Sequence, residues 1–353
     1  MGDFSFWYIS IFNCRIIVLR LFLRVVCLLG VTAAAFGEVR GAYKNHFAIE
    51  GDYVLLRRAN SHNKHLVSAA GGPINFPSHL VPPECAKEVG KPLIETKDLI
   101  HDMYFDSGFS LALKIFQSIK TTWEARYLGG LSWQGKKTRN CLENLNLDGT
   151  VSHHTRDYQF ASRVKTLYDS SLYTWELNFW RHITPRYTNH FSVSWLAGFR
   201  MFDIDEKIKL YFHKEDRTSR YRVKTANDSF GLQLGGDIEY NPYSFLTWGL
   251  VVKVGGMFNR DKQKTKMFDD NNTIEIRDID RSGSNFSYMA EVYPFIELRP
   301  TKHFFFNINY RIIYVGAVAT ADRNIVLHDS GSILDHNGHI IYHGLTGGIQ
   351  FNF

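Results

Sequence analysis

The sequence predicts an all-β protein, a transmembrane antiparallel up-and-down β-barrel of about ten strands, with 8–12 within the pattern. Three observations carry this. Apolar and polar side chains alternate over repeated segments of ten or more residues. The connections between segments alternate short and long. Aromatics dominate the apolar residues, with 27 Phe, 18 Tyr and 7 Trp, and 27 Gly accompany them. Mean hydropathy is slightly negative at -0.22, as expected when only every second strand residue faces lipid.

The strands follow in order. "NHFAIEGDYVLL" sets Phe47, Ile49, Gly51, Tyr53 and Leu55 against Glu50 and Asp52. "FSLALKIFQ" sets Phe109, Leu111, Leu113 and Ile115 against Ser110 and Lys114. "TTWEARYLGGLSW" sets Trp123, Ala125, Tyr127, Gly129, Leu131 and Trp133 against Glu124, Arg126 and Ser132. "YTWELNFWRHI", "FSVSWLAGFRM" and "FGLQLGGDIEY" repeat the pattern, with Glu176, Arg200, Asp237 and Glu239 on the polar face. So do "LTWGLVVKVGGMF", "FSYMAEVYPFIEL" and "FFFNINYRIIY", with Lys253, Glu291, Glu297 and Arg311. The last strand runs from about Ile340 to Phe353. A tilted strand of about 9–11 residues crosses a bilayer.

Short turns are expected at 118–121, 184–189, 241–243 and 299–302, the last three holding Pro or Asn. Long polar loops are expected at 58–108, 134–170, 204–228, 260–285 and 316–339. "IKLYFHKEDRTSRYRVKT" and "RDYQFASRVKTLY" read as hairpins above the membrane; counted as strands, they would make twelve. An even number of strands lets the first pair with the last and leaves no open edge.

Residues 1–35 read as a secretory signal peptide, with Arg15, Arg20 and Arg24, an apolar run, then Ala33 and Ala35. The barrel occupies 36–353. Beyond the leader no apolar run of about 18 residues makes a spanning helix. Two cysteines remain, Cys85 and Cys141, candidates for one disulfide in an oxidising compartment, with two free thiols the alternative. The net charge of +6 comes without a dense Lys/Arg run, so nucleic acid is not an expected partner.

The lumen-facing charges are expected to be Glu50, Asp52, Lys114, Glu124, Arg126, Glu176, Arg200, Asp237, Glu239, Lys253, Glu291, Glu297 and Arg311. In a narrow barrel they fill the interior as a structural lattice, or they select the solutes of a pore. Trp123, Trp133, Trp175, Trp195 and Trp248 suit interfacial girdles. His153, His154, His336, His339 and His343 cluster weakly, without the converging ligands of a metal site, so no metal or cofactor is expected. Asp269, Asp270, His328 and Asp329 are loop groups of the kind that activate water, but no nucleophile elbow or phosphate loop accompanies them, and no enzyme is expected.

From about residue 171 the text resembles the beta-barrel porin-7 family, large in planctomycetes and found in chlamydia-like bacteria. "WELNFWRHITPR", "SWLAGFRMFDIDE", "NDSFGLQLGGD", "TKHFFFNINYRIIYVGAVATA" and "YHGLTGGIQF" carry the resemblance. It covers about half the chain and brings no catalytic residues. The likeness to outer-membrane barrels implies an outer membrane of Gram-negative type as the location and outer-membrane lipid as a partner. It also implies that the barrel assembly machinery reads the last strand through Leu345, Ile349, Phe351 and Phe353. The expected function is a porin passing small hydrophilic solutes through a charged lumen. The alternative is a non-transporting adhesin or envelope structural barrel that displays its loops.

Overall fold

The computed structural model describes residues 47–59, 62–70, 90–151, 156–184, 190–269, 271–328 and 333–353. The elements in chain order are β1 (Phe47–Ala59), β2 (His65–Ala69), β3 (Pro92–Glu95), helix α1 (Thr96–His101), β4 (Asp106–Ser118) and β5 (Thr121–Leu147). There follow β6 (Ala161–His182), β7 (Phe191–Lys214), β8 (Arg217–Tyr243), β9 (Leu246–Asp269), β10 (Ile274–Leu298), β11 (Phe304–Val318) and β12 (Gly338–Asn352).

Ten of these strands form a closed antiparallel ring, β1-β4-β5-β6-β7-β8-β9-β10-β11-β12. The seam is β1 on β12, with Ile49 opposite Phe351 and Tyr53 opposite Gly347. The rings of Phe47 and Phe353 stack there at 4.9 Å. Closure satisfies every wall strand on both edges, which a hydrocarbon environment requires. The β2–β3 hairpin lies outside the ring and extends the upper end of β5, Val67 opposite Leu147.

The wall has two storeys, and β7 shows why. Its even-numbered residues face inward along its whole length. From Ser192 to Arg200 these are mostly polar, while Phe191, Val193, Trp195 and Phe199 project outward, each more than a third exposed. Above Met201 the chemistry inverts: Phe202, Ile204, Ile208, Leu210 and Phe212 are buried inside, and Asp203, Asp205, Lys207 and Lys209 stand outside. β8 inverts likewise, from Phe230, Leu232 and Leu234 outside to Tyr221 and Val223 inside. The lower exterior is an apolar belt too large to be left to water. Phe230 to Tyr240 is ten residue steps, about 25 Å in height at ordinary strand tilt, the thickness of a membrane barrel's apolar band. The lower storey therefore spans a membrane. The upper storey stands in water and needs an apolar core of its own.

Six strands build the upper storey. β5 to β10 are 22–27 residues long, against 13–15 for β1, β4, β11 and β12. This corrects the expected loops at 134–170, 204–228 and 260–285: most of their described residues are strand. Their polarity on the outward face looked like loop composition. The two hairpins anticipated in the third and fifth connections are continuations of wall strands, so the ring stays at ten. The long 58–108 connection holds β2, β3 and α1, and Leu66, Ile94, Leu99 and Met103 join the upper core.

One expected face is reversed locally. The β5–β6 register shifts between Leu128 and Leu131, and Gly130 takes φ +80°. This bulge inserts a residue and flips the alternation beyond it. Leu131 and Trp133 therefore point inward, and Trp133 is a buried core residue rather than a girdle one; its indole N–H donates to the Leu56 carbonyl at 2.8 Å. Trp195 and Trp248 lie on the belt, 43% and 54% exposed. Trp123 and Trp175 are half-buried on the same outer face.

Candidate functional site

The alternation that puts apolar groups into lipid points the opposite residues at the barrel axis. In the lower storey they make one continuous lattice. Arg126 Nη2 lies 3.0 Å from Glu50 and 3.2 Å from Glu124, and its Nη1 lies 3.1 Å from Asp52. Lys114 pairs with Glu50 at 2.5 Å and donates to Gln350 at 2.7 Å. Lys253 meets Glu176 at 2.7 Å. Arg200 bridges Glu176, at 3.4 Å, and Glu291. Arg311 reaches Glu291 at 3.4 Å and lies over the Tyr293 ring at 4.9 Å. Asn178 donates to Glu124 and Glu176, and Gln233 to Glu176. Every wall strand contributes to the lattice.

Its charges balance. Five cations (Lys114, Arg126, Arg200, Lys253, Arg311) meet five carboxylates (Glu50, Asp52, Glu124, Glu176, Glu291). Arg200 is 0% exposed and Lys253 1%. Desolvation costs several kcal/mol per buried ion, and multiple partners are what offset it. Of the other expected lumen charges, Asp237, Glu239 and Glu297 also face inward, nearer the short-turn end. Glu297 lies 3.7 Å from Arg299, which donates to Asn241 at 2.9 Å. A cavity of about 80 Å³ reaches the lattice, lined by its Glu50, Lys114, Glu124, Arg126 and Arg311 together with His182, and has room for a handful of waters.

The upper storey is filled differently. After β11 the chain turns into the cylinder instead of over it. Asn227 brackets Ala319, donating to its carbonyl and accepting from its amide, both at 2.8 Å. Glu206 accepts from the Ala321 amide at 3.0 Å, Gln263 donates to the Asn324 carbonyl at 2.8 Å, and the Tyr221 hydroxyl donates to the Val326 carbonyl at 2.6 Å. The Val151 amide donates to the Leu327 carbonyl at 3.1 Å. Ala321, Ile325 and Leu327 are buried in the core. His336 Nδ1 pairs with Asp261, and Arg323 with Asp335 at 3.1 Å. Beneath this segment Arg58 spans the barrel to Glu206 and donates to the Tyr168 hydroxyl at 3.0 Å.

The sequence placed the lattice charges on the right face but did not reveal Arg58, Glu206, Arg299 or the infolded segment. Arg58 and Glu206 fell in stretches read as loop. The inversion of alternation in "FRMFDIDEKIKLYF" was the signal that would have found Glu206. Of the loop groups considered for catalysis, Asp269 ends β9 and His328 is exposed, while Asp270 and Asp329 lie outside the described residues. His339 stacks on Tyr314, and the Tyr310 hydroxyl lies 2.8 Å from His343; His153 and His154 lie outside the described residues. Among the described residues no three His, Cys, Asp or Glu converge to hold a metal. Cys141 is disulfide-bonded; Cys85 and residues 1–35, where a signal peptide is expected, lie outside the described residues. Leu345, Ile349, Phe351 and Phe353 project outward at the seam.

No protein-family model matches the sequence, and no curated protein matches it. Among solved structures it is similar to the outer membrane protease OmpT from Escherichia coli, with 10% identity over 89% of this chain and 99% of that one and a TM-score of 0.45. It is also similar to the outer membrane protein OprG from Pseudomonas aeruginosa (8% identity, 88% and 99% coverage, TM-score 0.26). A Pseudomonas aeruginosa FadL homologue matches with 7% identity, 88% and 90% coverage and a TM-score of 0.25. The fold assignment rests on the strand pairing, not on these likenesses.

Proposed function

We propose that this chain is an outer-membrane barrel whose lumen is a structural plug and whose work is done at the outer face, as a surface-displayed binding or envelope-structural platform. One observation carries the reading: inward side chains fill the lumen at two levels. A charge-balanced lattice fills the membrane storey, and an apolar core with the infolded residues 319–328 fills the storey above. A pore for hydrophilic solutes needs solvated charges along a continuous path, and Arg58, Arg200 and Lys253 are each at most 1% exposed. The tall half-cylinder of β5–β10 suits display, since it costs apolar core that a pore does not need. The beta-barrel porin-7 resemblance is compatible with a non-enzymatic envelope role. The test is single-channel recording of the refolded protein in planar bilayers. The expected record is flat; sustained conductance steps from the wild-type chain would overturn the plugged reading in favour of the pore.

A further inference from the structure

The outer wall of the upper storey carries a grid of basic side chains. Register places Lys207 opposite Lys224, and Lys224 opposite Lys264. One step higher, Lys209 is opposite Arg222, and Arg222 opposite Lys266. All six face outward and are half-buried against one another. Like charges directly opposite on antiparallel strands destabilise the sheet, so two such rows on three adjacent strands need a counter-charge.

The protein supplies only part of it, at the margins. Lys209 reaches Asp169 at 3.3 Å, Lys224 reaches Asp205 at 3.5 Å, and Lys264 reaches Asp280 at 3.4 Å. Lys266 pairs with Glu275 and Asp278 at 2.9 and 3.0 Å. Lys207 and Arg222 make no carboxylate pair among the described residues. Burial and then Lys209 push the Lys207 amine down to about 8; burial and then Arg220 lower Arg222.

Height narrows the ligand. Lys224 lies six residues beyond Phe230 at the belt's upper edge, about 20 Å along the strand and about 15 Å in height at ordinary tilt. A bilayer's headgroup layer adds only about 5–8 Å beyond the hydrocarbon on each side. The phosphate of a simple diacyl lipid lies below the grid. A phosphorylated sugar attached to the lipid reaches it.

We propose that this grid binds the phosphorylated saccharide headgroup of glycolipids in the leaflet through which the barrel rises. Lys207 and Arg222 are the central ligands, acting as fixed cations toward phosphate oxygens. The inference goes beyond the function proposed above and is independent of whether the lumen conducts.

The experiment measures binding to the detergent-folded barrel of four probes: lipopolysaccharide with a phosphorylated core, the same material dephosphorylated, lipid A alone, and the core oligosaccharide released from lipid. The wild type is compared with the double variant Lys207→Gln/Arg222→Gln and with Lys207→Arg/Arg222→Lys. Heat-modified gel migration certifies that each variant is folded. The expected result is binding of the phosphorylated form at least tenfold weaker in the Gln variant, retained in the charge-keeping variant and lost on dephosphorylation. Lipid A should bind no more tightly to wild type than to the Gln variant. Equal binding by wild type and Gln variant, indifference to core phosphate, or released oligosaccharide binding as tightly as the intact glycolipid would each overturn the proposal.

Discussion

Arg58 on β1 and Glu206 on β7 meet across the barrel at 2.7 Å, with neither side chain exposed to solvent. The contact sits where the polar lattice gives way to the apolar upper core, and Tyr168, Ser170 and the Ala321 amide also donate to the carboxylate, at 2.8, 3.3 and 3.0 Å. It ties the wall to the infolded segment. Removing one partner strands a buried charge. Glu206→Gln and Arg58→Met should each lower stability by about 3–5 kcal/mol, and the double change Arg58→Met/Glu206→Leu should cost less than either alone. Urea unfolding in micelles measures all three; additive losses would mean that the pair is not coupled.

Ile208 and Lys209 are neighbours on β7 with opposite fates. Ile208 is fully buried and Lys209 faces out. Ile208→Ala should cost about 2–5 kcal/mol, and Lys209→Ala about 0.5 kcal/mol or less in either direction. A loop above the membrane would show neither cost, so equal and negligible effects in the same unfolding assay would refute the upper storey.

The tryptophans report the inversion and the bulge optically. Brominated lipid tails should quench single-tryptophan variants retaining Trp195 or Trp248, and should spare one retaining Trp133. Quenching of Trp133 would mean that the Gly129–Gly130 bulge does not turn that face inward.

Gly149 takes φ +83°, and a methyl group there would run into the Leu327 carbonyl. Gly149→Ala should loosen the infolded segment without opening the ring. Hydrogen exchange around 319–328 should rise while the barrel strands stay protected; unchanged exchange would show that Gly149 does not hold the plug.

Lys207 carries a pH signature. Its amine is lowered to about 8, below the ordinary lysine value of 10.5, so the unfolded chain binds its proton more tightly. The group therefore weakens the fold at neutral pH, and that penalty disappears as pH rises from about 8 past 10.5. Lys207→Gln should be more stable than wild type at pH 7, with the gap narrowing above about pH 8 and closing as pH passes 10.5. A gap that is constant with pH in denaturant melts would contradict the lowered amine.

The sequence by itself determined the ring. Ten alternating segments appeared at the positions of the ten wall strands, and Glu50, Arg126, Glu176, Arg200, Lys253, Glu291 and Arg311 were already assigned to the lumen. Alternation is a local property, written two residues at a time, because a strand cannot face lipid on one side without showing it. Tertiary structure alone decided three things. It decided how tall the wall is, because outside the membrane the same strand reverses its polarity and resembles a loop. It decided that Trp133 points inward, because one inserted residue at Gly130 reverses every side chain after it. And it decided how the lumen is filled, because whether Arg200 meets Glu291 and whether residue 321 reaches Glu206 depend on strands far apart in sequence that only barrel closure brings together.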